Sequence, residues 1–238
     1  MIDLHAHILP GIDDGPATTE AALEMARTAA RAGTRAIATT CHVGYHMDVA
    51  PEQIVHGRET LAARLAYEGI DLELLPGGEI AHDRLPDLSD EVLRTLTLGG
   101  GNHVLLECPF APVGDGLEPL VDDLQARGFE VLLAHPERSA SFQQDPDLLA
   151  SLVERGALAQ VTVGALTGHF GRVPHRAAEM MVREGLVHVL ASDAHDSVHR
   201  APVLNVNGIV TAEQFVQMTT VVPAAIVAGQ PLRSSSAR

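Results

Sequence analysis

The sequence predicts an α/β fold built on a parallel sheet. Seven short apolar runs of strand type recur along the 238 residues, amphipathic stretches of helical period separate them, and no linker-like composition or internal repeat divides the chain. The length fits a single large domain, and the pattern leaves open whether the sheet closes into a barrel.

The first run, residues 2–5, begins almost at the start methionine. Thr18 or Thr19 caps the helix that follows, Glu20 lies in its opening turn, and Gly33 stands where a left-handed residue ends a helix. After the run at 35–40, Pro51 opens a helix through Ile54, Leu61 and Leu65 that stops at Gly69. The run at 72–76 precedes a short helix with Ser89, Val92, Leu93 and Leu96, ended by Gly99. The run at 103–107 leads to Leu117, Leu120, Val121 and Leu124, an i, i+3, i+4, i+7 set that ends at Gly128. The run at 130–135 is followed by a helix carrying Leu148, Leu149, Leu152 and Val153 before Gly156. From the run at 158–163 the chain enters a helix opening at Pro174, with Ala177, Ala178, Met181 and Val182, that stops at Gly185. The seventh run, 187–192, gives way to a polar loop, a helix near 211–218 and an apolar stretch around 223–228. Residues 1–230 form the expected domain and 231–238, with three consecutive serines, a flexible tail.

Composition narrows the function. Apolar residues make up 46%, enough for a buried core, whereas aromatics are only 3% with no Trp, which disfavours stacking platforms for single-stranded nucleic acid. All 16 basic residues are Arg, so Schiff-base chemistry and a P-loop lysine are absent. A net charge of −15 argues against a nucleic-acid surface, and an acidic protein that handles phosphate needs a local cationic focus such as a metal cluster. Two cysteines are too few for a disulfide framework, the opening Met1-Ile2-Asp3 does not read as a signal peptide, and no apolar run reaches membrane-spanning length. The expected location is the cytoplasm.

The chemistry-bearing residues share one position. His5 and His7 end the first run, where alternate residues of a strand point the same way and aim two imidazoles at one place. Asp13-Asp14-Gly15 then offers carboxylates nearby. His42 ends the second run, Glu79 follows Gly77-Gly78 after the third, and Glu107 closes the fourth. His135 ends the fifth and Asp193-Ala194-His195 the seventh. Six of seven strands deliver His, Asp or Glu to their C-terminal ends, the face where parallel α/β barrels build active sites. A single such histidine would read as an ordinary core or surface residue; six together predict a polynuclear metal site with mixed N/O ligands.

These residues carry a resemblance. The set is similar to the PHP (polymerase and histidinol phosphatase) superfamily. More narrowly, His-Ala-His-Ile-Leu-Pro-Gly-Ile-Asp-Asp-Gly at 5–15, His-Pro-Glu-Arg at 135–138 and Ser-Asp-Ala-His at 192–195 resemble the bacterial capsule and exopolysaccharide tyrosine-protein phosphatases of the CpsB/YwqE type. The resemblance runs from residue 1 to about 228. It implies a distorted (β/α)7 barrel and two to three divalent metals, Mn before Fe, Zn or Mg. His5, His7, Glu79 and Asp193 would hold one ion. Glu79 as a bridge, Glu107 and His135 would hold a second, and Asp14, His42 and His195 a third. It also implies that Arg138 and Arg200 contact phosphate, for which a guanidinium fork is well shaped.

The reaction so implied is hydrolysis of protein phosphotyrosine, the substrate being a bacterial tyrosine kinase. A metal-bridging hydroxide would attack phosphorus in line. No Cys-x5-Arg loop is present, so a phosphocysteine intermediate is not expected. The phenol leaving group, with a pKa of ~10, has less need of an acid than an alkoxide; His199 stands near enough in sequence to be weighed as its donor but reads better as a solvent-facing loop residue. Two other readings stand beside this one: a small-molecule phosphatase of histidinol-phosphate type, and a non-catalytic module that binds phosphotyrosine segments. A barrel amidohydrolase would share the HxH opening but commonly uses a carbamylated lysine, and the chain has no lysine. Asp13 reads as a loop-fixing neighbour of Asp14, Cys41 and Cys108 as small core residues, and His46, His56, His82, His103, His169, His175 and His188 as ordinary residues of loops, surface or strands.

Overall fold

Among the described residues, nine short strands, all paired in parallel, form two sheets with helices packed outside them. The computed structural model describes residues 1–44, 47, 49–111, 116–206, 208–230 and 232; His46 and nearly all of the expected tail lie outside these. One sheet runs β1 (Ile2–Ala6), β2 (Ala36–Thr39), β4 (Glu73–Leu75). The other runs β3 (His42–Val43), β5 (Glu79–Ala81), β6 (His103–Glu107), β7 (Glu130–Ala134), β8 (Leu158–Thr162), β9 (Val189–Ala191). Past the end of β9 the chain returns to β1, with Asp193 N–H donating to the His5 carbonyl at 2.8 Å and His7 N–H to that of Ala194 at 2.8 Å.

The expected second and third strands, 35–40 and 72–76, are met by β2 and β4, and each is followed after a short break by a further strand that was not expected, β3 and β5, a difference with a local cause. Thr40 inserts its hydroxyl into the β1–β2 ladder, where Oγ1 accepts from Ala6 N–H at 2.8 Å, so a side chain takes the place of a backbone partner. Between β4 and β5, Pro76 has no N–H to give, and Gly77-Gly78 passes so close to its neighbours that a Cβ at Gly78 would sit 2.8 Å from Leu96 Cδ2.

Helices α1 (Thr19–Arg31), α2 (Pro51–Tyr67), α3 (Asp90–Leu96) and α4 (Glu118–Ala126) follow the expected apolar faces, and Thr18 is the residue that caps α1. A short α5 (Ala140–Gln144) precedes α6 (Pro146–Glu154), and α7 (Val163–Leu166) follows β8 directly. The next helix, α8 (Arg172–Arg183), begins two residues before Pro174, because the first turn of a helix has no need of the proline N–H. Near the end, α9 (Ala212–Val216), a π-helical segment at Gln217–Val221 and α10 (Val222–Val227) abut, where two separate stretches were expected. Thr219 explains the loosened turn, since its hydroxyl donates to the Phe215 carbonyl at 2.7 Å in competition with the helix ladder.

Two apolar layers hold these elements. A larger one, with Ile37, Leu61, Val104, Leu133, Val161 and Met181, lies between strands and helices. A smaller one on the other face of the strands joins Leu4, Ala38, Leu105, Leu132, Leu158 and Val189, and Ile226 of α10 packs into it. Burial on both faces is why these strands read as continuous apolar runs. It also leaves only the strand ends free to carry polar chemistry.

Candidate metal centre

Register brings the rim together. His42 on β3 pairs with Glu79 on β5, and Ala81 at the other end of β5 pairs with Glu107 on β6, so three candidate ligands sit on neighbouring strands. The bonds from 193–194 to β1 bring Asp193 and His195 beside His5 and His7. His135 and Asp193 turn inward through left-handed backbone, φ 37° and 51°, and are the only non-glycine residues with positive φ among those described.

All nine residues proposed as ligands converge. Four overlapping groups have ligand atoms within 4.8 Å of one another: His7, Asp14, His42 and His195; His5, His7 and Asp193; His5, Glu79 and His135; His42, Glu79 and Glu107. Glu79 is central. Its Oε1 accepts from His135 Nε2 at 2.8 Å, and its Oε2 lies 3.3 Å from Nε2 of both His5 and His7 and 3.1 Å from His42 Nδ1. Asp14, the most exposed of the set, approaches His195 Nε2 at 3.2 Å.

The cluster fits divalent metal better than it fits itself. Buried Oε2 of Glu79 has no hydrogen bond despite three ring nitrogens around it, and the Nε2 atoms of His5 and His7 face each other at 3.3 Å. A cation satisfies such a convergence of lone pairs, whereas protons satisfy only some of them. Charge follows the same logic. Burial works against ionisation of Glu79 and Asp193, yet the surrounding imidazoles, with Arg200 at Asp193, hold both carboxyls well below the usual range. Burial and the nearby Glu79 push Glu107 up to about 7. His7, buried, is raised well above its ordinary value by Asp13, Asp193 and Glu79, while burial lowers His135 and His195.

A second ring of residues orients the first. Asp13 Oδ2 lies 2.7 Å from His7 Nδ1 and accepts from His42 N–H at 3.2 Å, which makes it the loop-fixing neighbour expected. Gln160 Oε1, on β8, lies 2.8 Å from His5 Nδ1. Buried Asp3 accepts from Ser192 N–H at 3.1 Å and from the Ser192 hydroxyl, pinning the turn that carries Asp193. Buried Glu137 accepts from Thr162 N–H at 3.0 Å and from its hydroxyl, and burial pushes its carboxyl up to about 7. Neither Gln160 nor Asp3 was singled out in the sequence. A neutral amide in a strand gives no metal signal, and Asp3 is masked by the histidines beside it.

Two arginines flank the cluster. Arg138 Nη1 donates to Asp193 Oδ2 at 2.9 Å and Arg200 Nη2 to the same oxygen at 2.6 Å. Beside His42 and Glu107 lies a cavity of about 220 Å³, also lined by Val43, Gly44, Met47, Ala81 and Phe110. The cysteines adjoining the site, Cys41 and Cys108, are free and fully buried, and burial pushes both thiols well up, away from the thiolate a metal would need. His199 is exposed and lies outside the cluster.

The family follows from the whole chain. A family profile described as capsular polysaccharide synthesis, CpsB/CapC, matches residues 1–219. The chain belongs to the CpsB/CapC family. Its sequence is 40% identical over 200 residues to tyrosine-protein phosphatase YwqE of Bacillus subtilis (strain 168), covering 82% of this chain and 78% of the relative. The crystal structures of YwqE and of CpsB from Streptococcus pneumoniae, described as metal-dependent tyrosine phosphatases, provide a match with TM-score 0.87 and 32% identity, covering 98% of this chain and 96% of that one. A phosphotriesterase homology protein from Escherichia coli shares the fold, with TM-score 0.61 at 12% identity over 95% of this chain and 98% of the other. Among the described residues no helix is long and apolar enough to cross a membrane.

Proposed function

We propose that this CpsB/CapC chain is a metal-dependent phosphomonoesterase acting on protein phosphotyrosine, and that its substrate is a cytoplasmic tyrosine kinase of capsule or exopolysaccharide synthesis. The observation that carries the reading is the buried, unbonded Oε2 of Glu79 ringed by His5, His7 and His42. His5, His7, Glu79 and Asp193 would hold one divalent ion, Glu79, Glu107 and His135 a second, and Asp14, His42 and His195 a third, with Mn favoured by the mixed N/O donors. Bound there, such ions supply Lewis-acid polarisation of phosphoryl oxygens and water of lowered pKa.

The chain's own groups do the rest. Arg138 and Arg200 bind non-bridging oxygens and offset the charge that builds as the ester bond lengthens. Asp193 holds both guanidiniums close to the cluster while its other oxygen faces the imidazoles. Apolar walls at Val43, Met47, Ala81 and Phe110 give an aromatic leaving group an apolar surface beside the reacting phosphate. The strands are read as seven staves of a distorted (β/α) barrel formed by residues 1–230. In this reading β2 with β3, and β4 with β5, are each one broken stave, and the bonds between β1 and residues 193–194 close the ring.

The test pairs metal analysis with turnover. Wild-type protein should carry two to three divalent ions and hydrolyse phosphotyrosine peptides and aryl phosphates, faster with added Mn. Strong activity on histidinol phosphate with none on phosphotyrosine peptides would redirect the assignment to a small-molecule phosphatase. Phosphotyrosine binding without turnover would leave a binding module.

A further inference from the structure

Of the seven expected strands, only the one corresponding to β8 brings no His, Asp or Glu to the rim. What it brings is support. Gln160 orients His5, Thr162 fixes Glu137, and the loop beyond α7 delivers Phe170 to the two arginines. We propose that Phe170 is a positioning residue for the phosphate site, its ring holding the guanidinium groups of Arg138 and Arg200 as a fork open to phosphoryl oxygens. This rests on the reading that these arginines receive phosphate.

Position comes first. Phe170 lies in a tight loop between Gly168 and Gly171, at φ 82° and 89°. Its ring fills the space that a side chain at Gly164 would need, where a Cβ would come within 2.9 Å of Phe170 Cε2. The ring is therefore seated on α7 and has little room to move toward it. Against it lie two cations, with the guanidinium carbon of Arg138 4.7 Å from the ring centroid and that of Arg200 5.7 Å away. Arg138 is also 4.7 Å from the Phe110 ring, which stacks on His135 with an interplanar angle of 5°.

Electrostatics explains the need for a ring. Two like charges share one carboxylate oxygen, and a single negative charge on Asp193 balances only one of them. The negative face of an aromatic ring attracts both guanidiniums without competing for their N–H donors. A carboxylate in the same place would occupy those donors and repel the incoming phosphate. Asp193 takes one nitrogen of each guanidinium, Nη1 of Arg138 and Nη2 of Arg200, and the ring takes none of the others. A ring that only filled space would do the same work as leucine; a ring that holds cations would not.

The experiment compares F170L and F170Y with wild type, each loaded with Mn. Inorganic phosphate affinity is read by calorimetry and by competitive inhibition of p-nitrophenyl phosphate turnover. F170L should weaken phosphate roughly tenfold, with metal content unchanged and KM raised more than kcat is lowered, and F170Y should restore it. Equal phosphate affinity in F170L and wild type, or F170Y as impaired as F170L, would overturn the role. If F170L does not fold, F170M asks the same question with a flexible side chain that can fill the space but lacks the ring. Wild-type protein that binds phosphate yet turns over no ester would overturn the phosphatase reading alone, and wild type that binds no phosphate would overturn both.

Discussion

Arg200 Nη2 sits 2.6 Å from Oδ2 of Asp193, while Oδ1 of the same carboxylate lies 3.5 Å from Nε2 of both His5 and His7. One side chain thus joins the imidazole cluster to the cationic fork. Changing Asp193 to Asn keeps its shape and removes its charge. The D193N variant should lose roughly 10²–10³-fold in phosphotyrosine-peptide turnover and bind fewer metal ions per chain, read by mass spectrometry. Wild-type turnover in D193N would detach the fork from the chemistry.

Gln160 tests orientation without touching charge. Its Oε1 accepts from His5 Nδ1, which directs Nε2 of that ring into the cluster. Partners of this kind fix tautomer and ring angle, and their loss typically costs 10–100-fold in metal affinity. Mn titration of Q160L should therefore give a dissociation constant higher by about that factor, with the melting temperature of the saturated protein little changed.

Metal removal should be felt in stability as well as in rate. Four candidate carboxylates, Asp14, Glu79, Glu107 and Asp193, share a small volume, and ligand in hundredfold excess over its dissociation constant stabilises a native state by about 2.7 kcal/mol. For a chain of this size, stripping by chelator should lower the melting temperature by about 5–10 °C, and Mn should restore both the melting temperature and activity. An unchanged melting curve after complete removal would contradict the ligand set.

His103 gives a pH signature away from the cluster. It is 3% exposed on β6, its Nδ1 has no partner, and burial pushes its pKa down to about 4 from an ordinary 6.5. The folded state keeps it neutral while the unfolded chain takes up a proton below about pH 6.5. Its contribution is therefore constant above that pH, and the fold loses stability as pH falls toward 4, by about 2–3 kcal/mol. Chemical denaturation of wild type and H103Q at fixed metal concentration should show stability curves converging in that window. Parallel curves would mean that the ring is protonated inside the fold.

Much of the site was legible because burial leaves so few places for polar groups. A strand such as Val131-Leu132-Leu133-Ala134, buried on both faces, has no structural use for a histidine at its end, so His135 stood out, and Glu107, His42 and Asp193 did so for the same reason. Supporting residues had no such contrast. Gln160 is a neutral amide within a strand, and Phe170 looks like any core aromatic until the arginines are seen against it. The broken strands were hidden for another reason: the hydroxyl of Thr40 replaces a backbone partner, and nothing in apolar periodicity records that exchange. Likewise the π-helical segment before α10 arises from one threonine bond, not from a change in pattern.

The left-handed turn at His135 sets two demands against each other. A branched or aromatic residue at φ 37° carries backbone strain of order 1–3 kcal/mol that glycine or asparagine would largely relieve. Aspartate tolerates such a turn better than histidine, so the burden at Asp193 is smaller. A search for thermostable variants that ignores catalysis should select substitutions at residue 135 early, and the hardiest descendants would be inert. With His135 as a metal ligand, as proposed above, the shortest route to durability would pass through the loss of the reaction.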